Sequence, residues 1–474
     1  MKRSTIFTIS ALTLPMLHCQ EKPDISPTPD KPDVNRPNII YINADDLGIM
    51  DVQYNSQRYR TPNINKLKQE GMLFTNTHAA ASNSAPSRAC VFTGQYTPRH
   101  GIYTVGTSER GNSVDRKLIP IENGDFVSRD NLTFSEILKS NGYRTIHLGK
   151  WHITENPLEK GFDINIGGGA SGAPYGGYFV PFSGPMEKYN TYGEGVHSAD
   201  IFADQAISFL QKEGKDRPFF MHMAYYLVHS PLQEVPGLVE KYKGTPELNA
   251  TYASMIEKLD QSIGAIMDEL ERQGLKENTF VLFSSDNGGV CHVSPQLPYR
   301  SGKGSYFDGG TRVPLIIRWP GKVQAGTTCD VPVIGIDYFP TFMEVAGLSV
   351  PNNKILDGIS LMPLLEQKNN FPERALFWHF PIYLHTYAGA KDDSHDILFR
   401  TRPGSTILEG KWKLHEYFED GRLELYNLES DPGERTNVVG QYPQEAAQLH
   451  AKLKSWREKT NAPVPTELNP EYKP

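Results

Sequence analysis

Cysteine is scarce in this chain, with four in 474 residues, at positions 19, 90, 291 and 329. None of their spacings fits a zinc site, and beyond Cys19 an odd number remains, so neither a zinc module nor a complete disulfide framework organises the fold. The three later thiols are expected to be buried and free. No basic run occurs either. The 48 Lys+Arg against 55 Asp+Glu leave a net charge of −7, which argues against nucleic acid as a partner because nothing could neutralise a phosphate backbone. No internal repeat is visible, and the uncharged stretch Ser4 to Leu17 is shorter than the roughly 20 apolar residues that span a bilayer. What is present is a hydrophobic content of 38% with 11% aromatics, enough to argue against wholesale disorder. Together, 41 Gly and 35 Pro suit a loop-rich α/β protein better than a helical bundle.

Met1-Lys2-Arg3 followed by the Ile-, Leu- and Ala-rich Ser4 to Leu17 has the charged n-region and short h-region of a secretory signal, here residues 1–18. Cys19 directly after it resembles the lipobox cysteine of bacterial lipoproteins, although His18 stands where a small residue is usual. Residues 19–36 carry Pro23, Pro27, Pro29 and Pro32 among charges, a composition expected to form an extended, poorly packing tether. The expectation is an exported, periplasmic or outer-membrane-tethered protein whose membrane contact is a lipid on Cys19.

From Asn38 onward, strand signals at Asn38 to Asn43, Arg144 to Leu148, Phe219 to Tyr225, Thr279 to Phe283 and Leu315 to Trp319 alternate with helical patterns such as Ser198 to Lys212 and Tyr252 to Arg272. Alternation of this kind predicts parallel pairing in a sheet covered on both faces. Later, Ser405 to Leu408, Lys411 to Phe418 and Leu423 to Leu428 are closely spaced, with Asp420-Gly421 as a turn, and an amphipathic pattern runs from Gln444 to Thr460. The expected fold class is therefore α/β. A large mixed, mainly parallel sheet sandwiched by helices fills residues 37–360, and a smaller α+β domain with an antiparallel sheet fills 361–474.

Asp45 and Asp46 follow the first strand signal, and Asp286 and Asn287 follow that of Thr279 to Phe283. Ligand sites of open α/β sheets gather at the carboxyl ends of strands. Three carboxylates and an amide oxygen there suit Ca²⁺ or, second to it, Mg²⁺ rather than zinc. Either pair alone reads more readily as loop acids than as metal ligands. Ser84-Ala85-Pro86-Ser87-Arg88, continuing to Thr93-Gly94, is by itself a capped helix start with an arginine one turn in.

The order Ser-x-Pro-Ser-Arg-x-x-x-x-Thr-Gly, however, resembles the signature of type I sulfatases, members of the alkaline phosphatase-like superfamily, in the serine-type bacterial subgroup. Asp45-Asp46, Gly149-Lys150-Trp151-His152, His229 in Val228-His229-Ser230-Pro231, Asp286-Asn287, Lys303 in Arg300-Ser301-Gly302-Lys303-Gly304 and Leu425-Tyr426-Asn427-Leu428 follow in the family's order. Asp308 stands where Glu is commoner in that family.

The resemblance implies that a radical-SAM maturing enzyme oxidises Ser84 to formylglycine (3-oxoalanine), and that Asp45, Asp46, Ser84, Asp286 and Asn287 surround the cation. It implies Arg88, Lys150 and Lys303 for charge neutralisation. His229, with Lys303, would protonate the leaving oxygen, and His152 would act as the base that regenerates the aldehyde. The activity implied is hydrolysis of sulfate monoesters, exo-acting on glycosaminoglycan, mucin or algal carbohydrate. A phosphate or phosphonate ester hydrolase and a non-catalytic glycan-binding protein are the alternatives. His100, Trp378 and His379 are the expected sugar-binding residues, although the Trp378 to Pro381 run reads equally well as core.

Overall fold

The computed structural model describes residues 36–387, 393, 394 and 396–474. The expected signal, Cys19 and nearly all of the tether lie outside the described residues. In chain order the first part contributes β1 (Asn38–Ala44), β2 (Met72–Phe74), β3 (Thr77–His78), β4 (Arg144–Gly149), β5 (Ile164–Ile166), β6 (Phe219–Ala224), β7 (Thr279–Ser285), β8 (Leu315–Arg318), β9 (Thr327–Cys329) and β10 (Val333–Ile334). Eight of them form one sheet in the order β5-β4-β6-β1-β7-β8-β2-β9, and β3 pairs with β10 apart from it.

Pairing is parallel from β5 to β7. β8 then runs antiparallel to both β7 and β2, so the sheet is mixed and mainly parallel. β1 is buried along its whole length, as a central parallel strand between two helical layers must be. Its even residues Ile40 and Ile42 pack into one hydrophobic layer with helices Ser198–Lys212 and Ala250–Arg272. Ile39 and Tyr41 face the opposite layer, with helices Ser84–Thr93, Phe134–Ser140 and Tyr338–Val345. The period of two in a strand is what splits one apolar run between two cores.

The second part contributes β11 (Leu376–Phe380), β12 (Leu384–His385), β13 (Phe399–Thr401), β14 (Gly404–Glu409), β15 (Trp412–Tyr417) and β16 (Leu423–Asn427). β11-β14-β15-β16 form an antiparallel sheet covered by helix Pro443–Thr460, whose Leu449, Leu453 and Trp456 pack on Leu376, Ile407 and Leu414. The same core takes in Cys90, Tyr96 and Ile336 from the first part, so the two sheets share apolar contact. Cys90 is a buried free thiol, Cys291 is buried too, and Cys329 is only half-buried.

This packing corrects one expectation. Trp378 and His379 lie on β11, each 1% exposed. Trp378 Nε1 donates to the Ala79 carbonyl at 2.8 Å, and the His379 ring nitrogens meet Ser405 Oγ and the Pro463 carbonyl, both at 2.8 Å. No face of either ring remains for a sugar. Their aromatic surface is spent joining the two parts of the molecule.

The join also contains buried charge. Lys413 Nζ lies 2.7 Å from Asp308 Oδ1 and 3.0 Å from Glu434 Oε1, and Glu434 additionally accepts the Asp308 N–H at 2.6 Å and approaches His415 at 3.1 Å. Burial alone would raise the Asp308 carboxyl, but Lys413, His78 and Arg312 hold it well below the usual range. Removing one partner strands the others in a low-dielectric interior. Lys413→Met is therefore expected to cost about 3–5 kcal/mol of unfolding free energy in urea titration. Lys66→Met, at an exposed pair with Asp268, is expected to change it by less than ~0.5 kcal/mol. Equal midpoints for the two variants would show that the buried network contributes nothing.

Candidate active site

Four neighbouring strands, β4, β6, β1 and β7, deliver their carboxyl-end residues to one crevice. The chain leaving β1 supplies Asp45 and Asp46, and that leaving β7 supplies Asp286 and Asn287. Asp46 has φ 63°, a left-handed conformation uncommon for aspartate. It turns the Asp46 N–H toward Asp286 Oδ1 at 3.2 Å, and Asn287 Nδ2 donates to Asp46 Oδ1 at 2.8 Å. Oxygens of Asp45, Asp46 and Asp286 all lie within 4.8 Å of one another, and all three residues are buried.

β4 ends at Gly149, where a Cβ would lie 1.9 Å from the Ala224 carbonyl of β6. Only glycine passes there, and the next residue, Lys150, donates its N–H to that same carbonyl at 2.6 Å. The Lys150 side chain is fully buried, with Nζ 2.8 Å from Asp45 Oδ2 and 3.0 Å from Ser84 Oγ. Ser84 begins a helix that is buried throughout. Its Oγ also approaches Asp45 Oδ1 at 3.2 Å and Asn287 Oδ1 at 3.3 Å. One turn on, Arg88 Nε donates to Asp286 Oδ2 at 2.8 Å and Nη1 to the Lys150 carbonyl at 2.9 Å, while Nη2 is buried without a partner. Lys303 reaches in from a loop to Asp46 Oδ2 at 2.8 Å.

The histidines differ. His229 presents Nε2 3.9 Å from Asp46 Oδ2; its Nδ1 lies 2.6 Å from the Ser230 carbonyl, which can only accept, so Nδ1 carries a proton. Burial and then Lys303 lower its pKa to about 4, against the opposing pull of Asp46. His152, at φ 67°, has a buried Nδ1 without a partner, and burial followed by Lys150 and Arg88 keeps it well below the usual imidazole value. Both are neutral bases near pH 7. Lys303 is the reverse case, because Asp46 and Asp45 outweigh burial and raise it.

Charge bookkeeping shows what this pocket can hold. Asp45, Asp46 and Asp286 against Arg88, Lys150 and Lys303 sum to zero, but the acids are unequal. Burial pushes Asp45 up to about 7; Lys150 relieves part of that push, and the like charges of Asp286 and Asp46 add to it. Asp286, despite burial, is held well down by Arg88, Lys150 and Lys303. A pocket in which one of three clustered carboxylates struggles to stay ionised fits a further, hard cation on its all-oxygen donor set. With a dication the pocket would be net positive, the sign an anionic ester requires.

The structure thus gathers Ser84, Arg88, Lys150, His152, His229, Lys303 and the four oxygen donors into one place. His100 is elsewhere. Its Nδ1 accepts the Ile102 N–H at 3.2 Å and its Nε2 faces Cys90 Sγ at 3.3 Å, so both nitrogens are spent in the protein and the sugar-binding expectation is corrected. Asp51 escaped the sequence reading. It is fully buried and accepts from Gly48 N, Tyr252 Oη, Ser294 Oγ and Gln296 Nε2. The Tyr252 hydroxyl also reaches the Asp46 carbonyl at 3.4 Å, so Asp51 braces the turn that carries the acids. Asp51-Val52 has no pattern that could have marked it.

Comparison with known proteins agrees with this assembly. Residues 37–348 match the family model described as Sulfatase, and residues 302–460 match one described as N-sulphoglucosamine sulphohydrolase, C-terminal. A protein of Formosa agariphila named Sulfatase is 30% identical, covering 93% of this chain and 92% of its own. Human N-acetylgalactosamine-6-sulfatase is 29% identical, over 84% of this chain and 81% of its own. Among solved structures, Ps i-CgsB in complex with k-i-k-neocarrahexaose superposes with a TM-score of 0.73 at 28% identity, covering 92% of this chain and 95% of that one. A family model that spans the sheet, the serine-bearing helix and every donor in the crevice leaves one conclusion: this chain belongs to the sulfatase family, in the alkaline phosphatase-like superfamily, and is a sulfuric ester hydrolase.

Proposed function

We propose that this chain removes sulfate from sulfated carbohydrates after export, with Ser84 matured to formylglycine by a radical-SAM enzyme and with Ca²⁺ held by Asp45, Asp46, Asp286 and Asn287. The observation that carries the reading is the position of Ser84 Oγ, between Asp45, Asn287 and the Lys150 ammonium. The names of the similar proteins, N-acetylgalactosamine-6-sulfatase and a complex with k-i-k-neocarrahexaose, support a carbohydrate substrate. The apolar leader and Cys19 support export and a lipid tether.

When bound, the cation supplies positive charge against the sulfate oxygens. The hydrated aldehyde at position 84 supplies a stronger oxygen nucleophile than a serine hydroxyl whose neighbour is an ammonium. The chain's own residues do the rest. Arg88, locked to Asp286 and to the Lys150 carbonyl, keeps Nη2 unpartnered as a fixed donor. Lys150 orients residue 84 and offsets the charge of Asp45. Lys303 holds its proton at Nζ and can give it to the departing sugar oxygen. His229, with Nδ1 tied to Ser230, exposes Nε2 to the same region, where it can take the proton from the Lys303 ammonium and pass it to the departing oxygen, leaving Lys303 as the amine. His152 offers a neutral, buried imidazole as a base.

Three outcomes are expected. Ser84→Ala should lose sulfate release by on the order of 10³-fold or more with the melting temperature nearly unchanged, and the mature wild-type peptide should be lighter by two hydrogens at Ser84. An active enzyme without that mass loss would sink the assignment. Chelation should abolish activity, Ca²⁺ should restore it and Zn²⁺ should not; stoichiometric zinc with neither calcium nor magnesium in active protein would overturn the metal assignment. His229→Ala and Lys303→Ala should each slow a sugar sulfate at least ~10-fold more than 4-nitrophenyl sulfate, whose leaving group needs little proton help. Equal losses on both substrates would remove the proton-transfer roles.

A further inference from the structure

The loop that brings Lys303 to Asp46 has a second set of cations behind it. The Arg400 guanidinium stacks 4.0 Å from the centroid of the Tyr387 ring, and its Nη1 lies 3.4 Å from the Lys303 carbonyl. The group is therefore one lysine side chain away from the ammonium in the crevice. Arg400 is only 8% exposed, and its Nε is buried without a partner.

Gly111 approaches Phe399 so closely that a Cβ on it would lie 2.8 Å from the Phe399 ring, so the loop that carries Arg110 packs against the strand that carries Arg400, near enough for Arg400 and Tyr387 both to act on the Arg110 charge. The loop is pinned there by the Tyr383 N–H, which donates to the Ser108 carbonyl at 2.9 Å. Arg110 gives one N–H to the Val105 carbonyl. Among the described residues no carboxylate pairs with either arginine, whereas nearby Arg116, Arg402 and Arg435 have Glu109, Asp396 and Asp393.

Electrostatics agrees with the geometry. Partial burial and then the like charge of Arg400 lower the Arg110 pKa, with Tyr387 opposing. The exposed His385 is lowered by burial and then by both arginines. Two guanidiniums whose charges act on each other, with no paired carboxylate among the described residues, on a chain of net charge −7, form an arrangement that a bound anion relieves. Their planar forks match the oxygens of a carboxylate or a sulfate.

We propose that Arg110 and Arg400, over the Tyr387 ring, form a second oxyanion subsite next to the sulfate pocket, which takes a uronate carboxylate or a second sulfate of the same glycan. This rests on the sulfated-carbohydrate reading above and narrows it to substrates with two anionic groups.

The test uses the full chain carrying Ser84→Ala, loaded with calcium so that probes bind without turnover. Two matched pairs are titrated by calorimetry. Glucosamine 6-sulfate is set against glucosamine 2-N,6-O-disulfate, and N-acetylgalactosamine 6-sulfate against the chondroitin 6-sulfate disaccharide that adds a uronate. The doubly anionic member of one pair should bind at least tenfold more tightly, and which pair does so identifies the source of the second anion. Arg110→Gln and Arg400→Gln should each erase that preference while leaving the singly sulfated Kd within twofold. Equal affinity within both pairs, no binding of any probe, a preference that survives in the variants, or an equal loss on both members of a pair would overturn the proposal. If Arg400→Gln does not fold, Arg110→Gln decides alone. Sulfate release by the mature wild-type chain is measured separately. Preference without release leaves the subsite standing and removes the hydrolase reading, and release without preference removes only the subsite.

Discussion

Three carboxylates lie within 4.8 Å of one another in a buried crevice, and the surrounding structure is arranged to make that tolerable. Buried like charges are costly unless opposite charges answer them. Here the answers come from a helix (Arg88), from the turn after β4 (Lys150) and from a distant loop (Lys303). Each cation can arrive only if its own segment ends at the same edge of the sheet, which the parallel order of β4, β6, β1 and β7 ensures. The site is thus a property of strand direction as much as of the side chains.

Strand direction is also where sequence reading reached its limit. Apolar runs bounded by polar residues marked β1, β4, β6, β7 and β8 to within a residue or two, because burial on both faces demands such runs. Composition does not encode polarity of pairing, however, and Leu315–Arg318 looks like its parallel neighbours although it runs antiparallel to β7. The acids, lysines and histidines of the crevice were legible because they sit in compact ordered motifs. Arg110 and Arg400 were not. They lie far apart in sequence, and only the packing of Gly111 on Phe399 joins their segments. The misreading of Trp378 and His379 has a related cause: an aromatic run on a strand has the same composition whether its rings face sugar or face another sheet.

The smaller sheet does more than complete the fold. Trp378 holds the Ala79 carbonyl from below, and the Thr97 hydroxyl donates to the His379 carbonyl at 3.0 Å. The segments before and after helix Ser84–Thr93 are therefore both anchored to β11, and Glu434 and Lys413 fix Asp308, five residues from Lys303. A site that needs sub-ångström placement of a serine and a lysine has its supports in a region that contributes no reacting group.

Ser84 itself is 1% exposed, at the start of a helix with no exposed residue. Were Ser84 oxidised as proposed, the modifying enzyme would have to reach a side chain that the folded chain does not expose. Covalent maturation would then compete with folding for the same stretch of polypeptide. A chain that collapsed first would be sealed as an unmodified protein with a complete pocket lacking its proposed nucleophile. The fraction of active molecules would then be set by the order of events at synthesis, before any substrate is met.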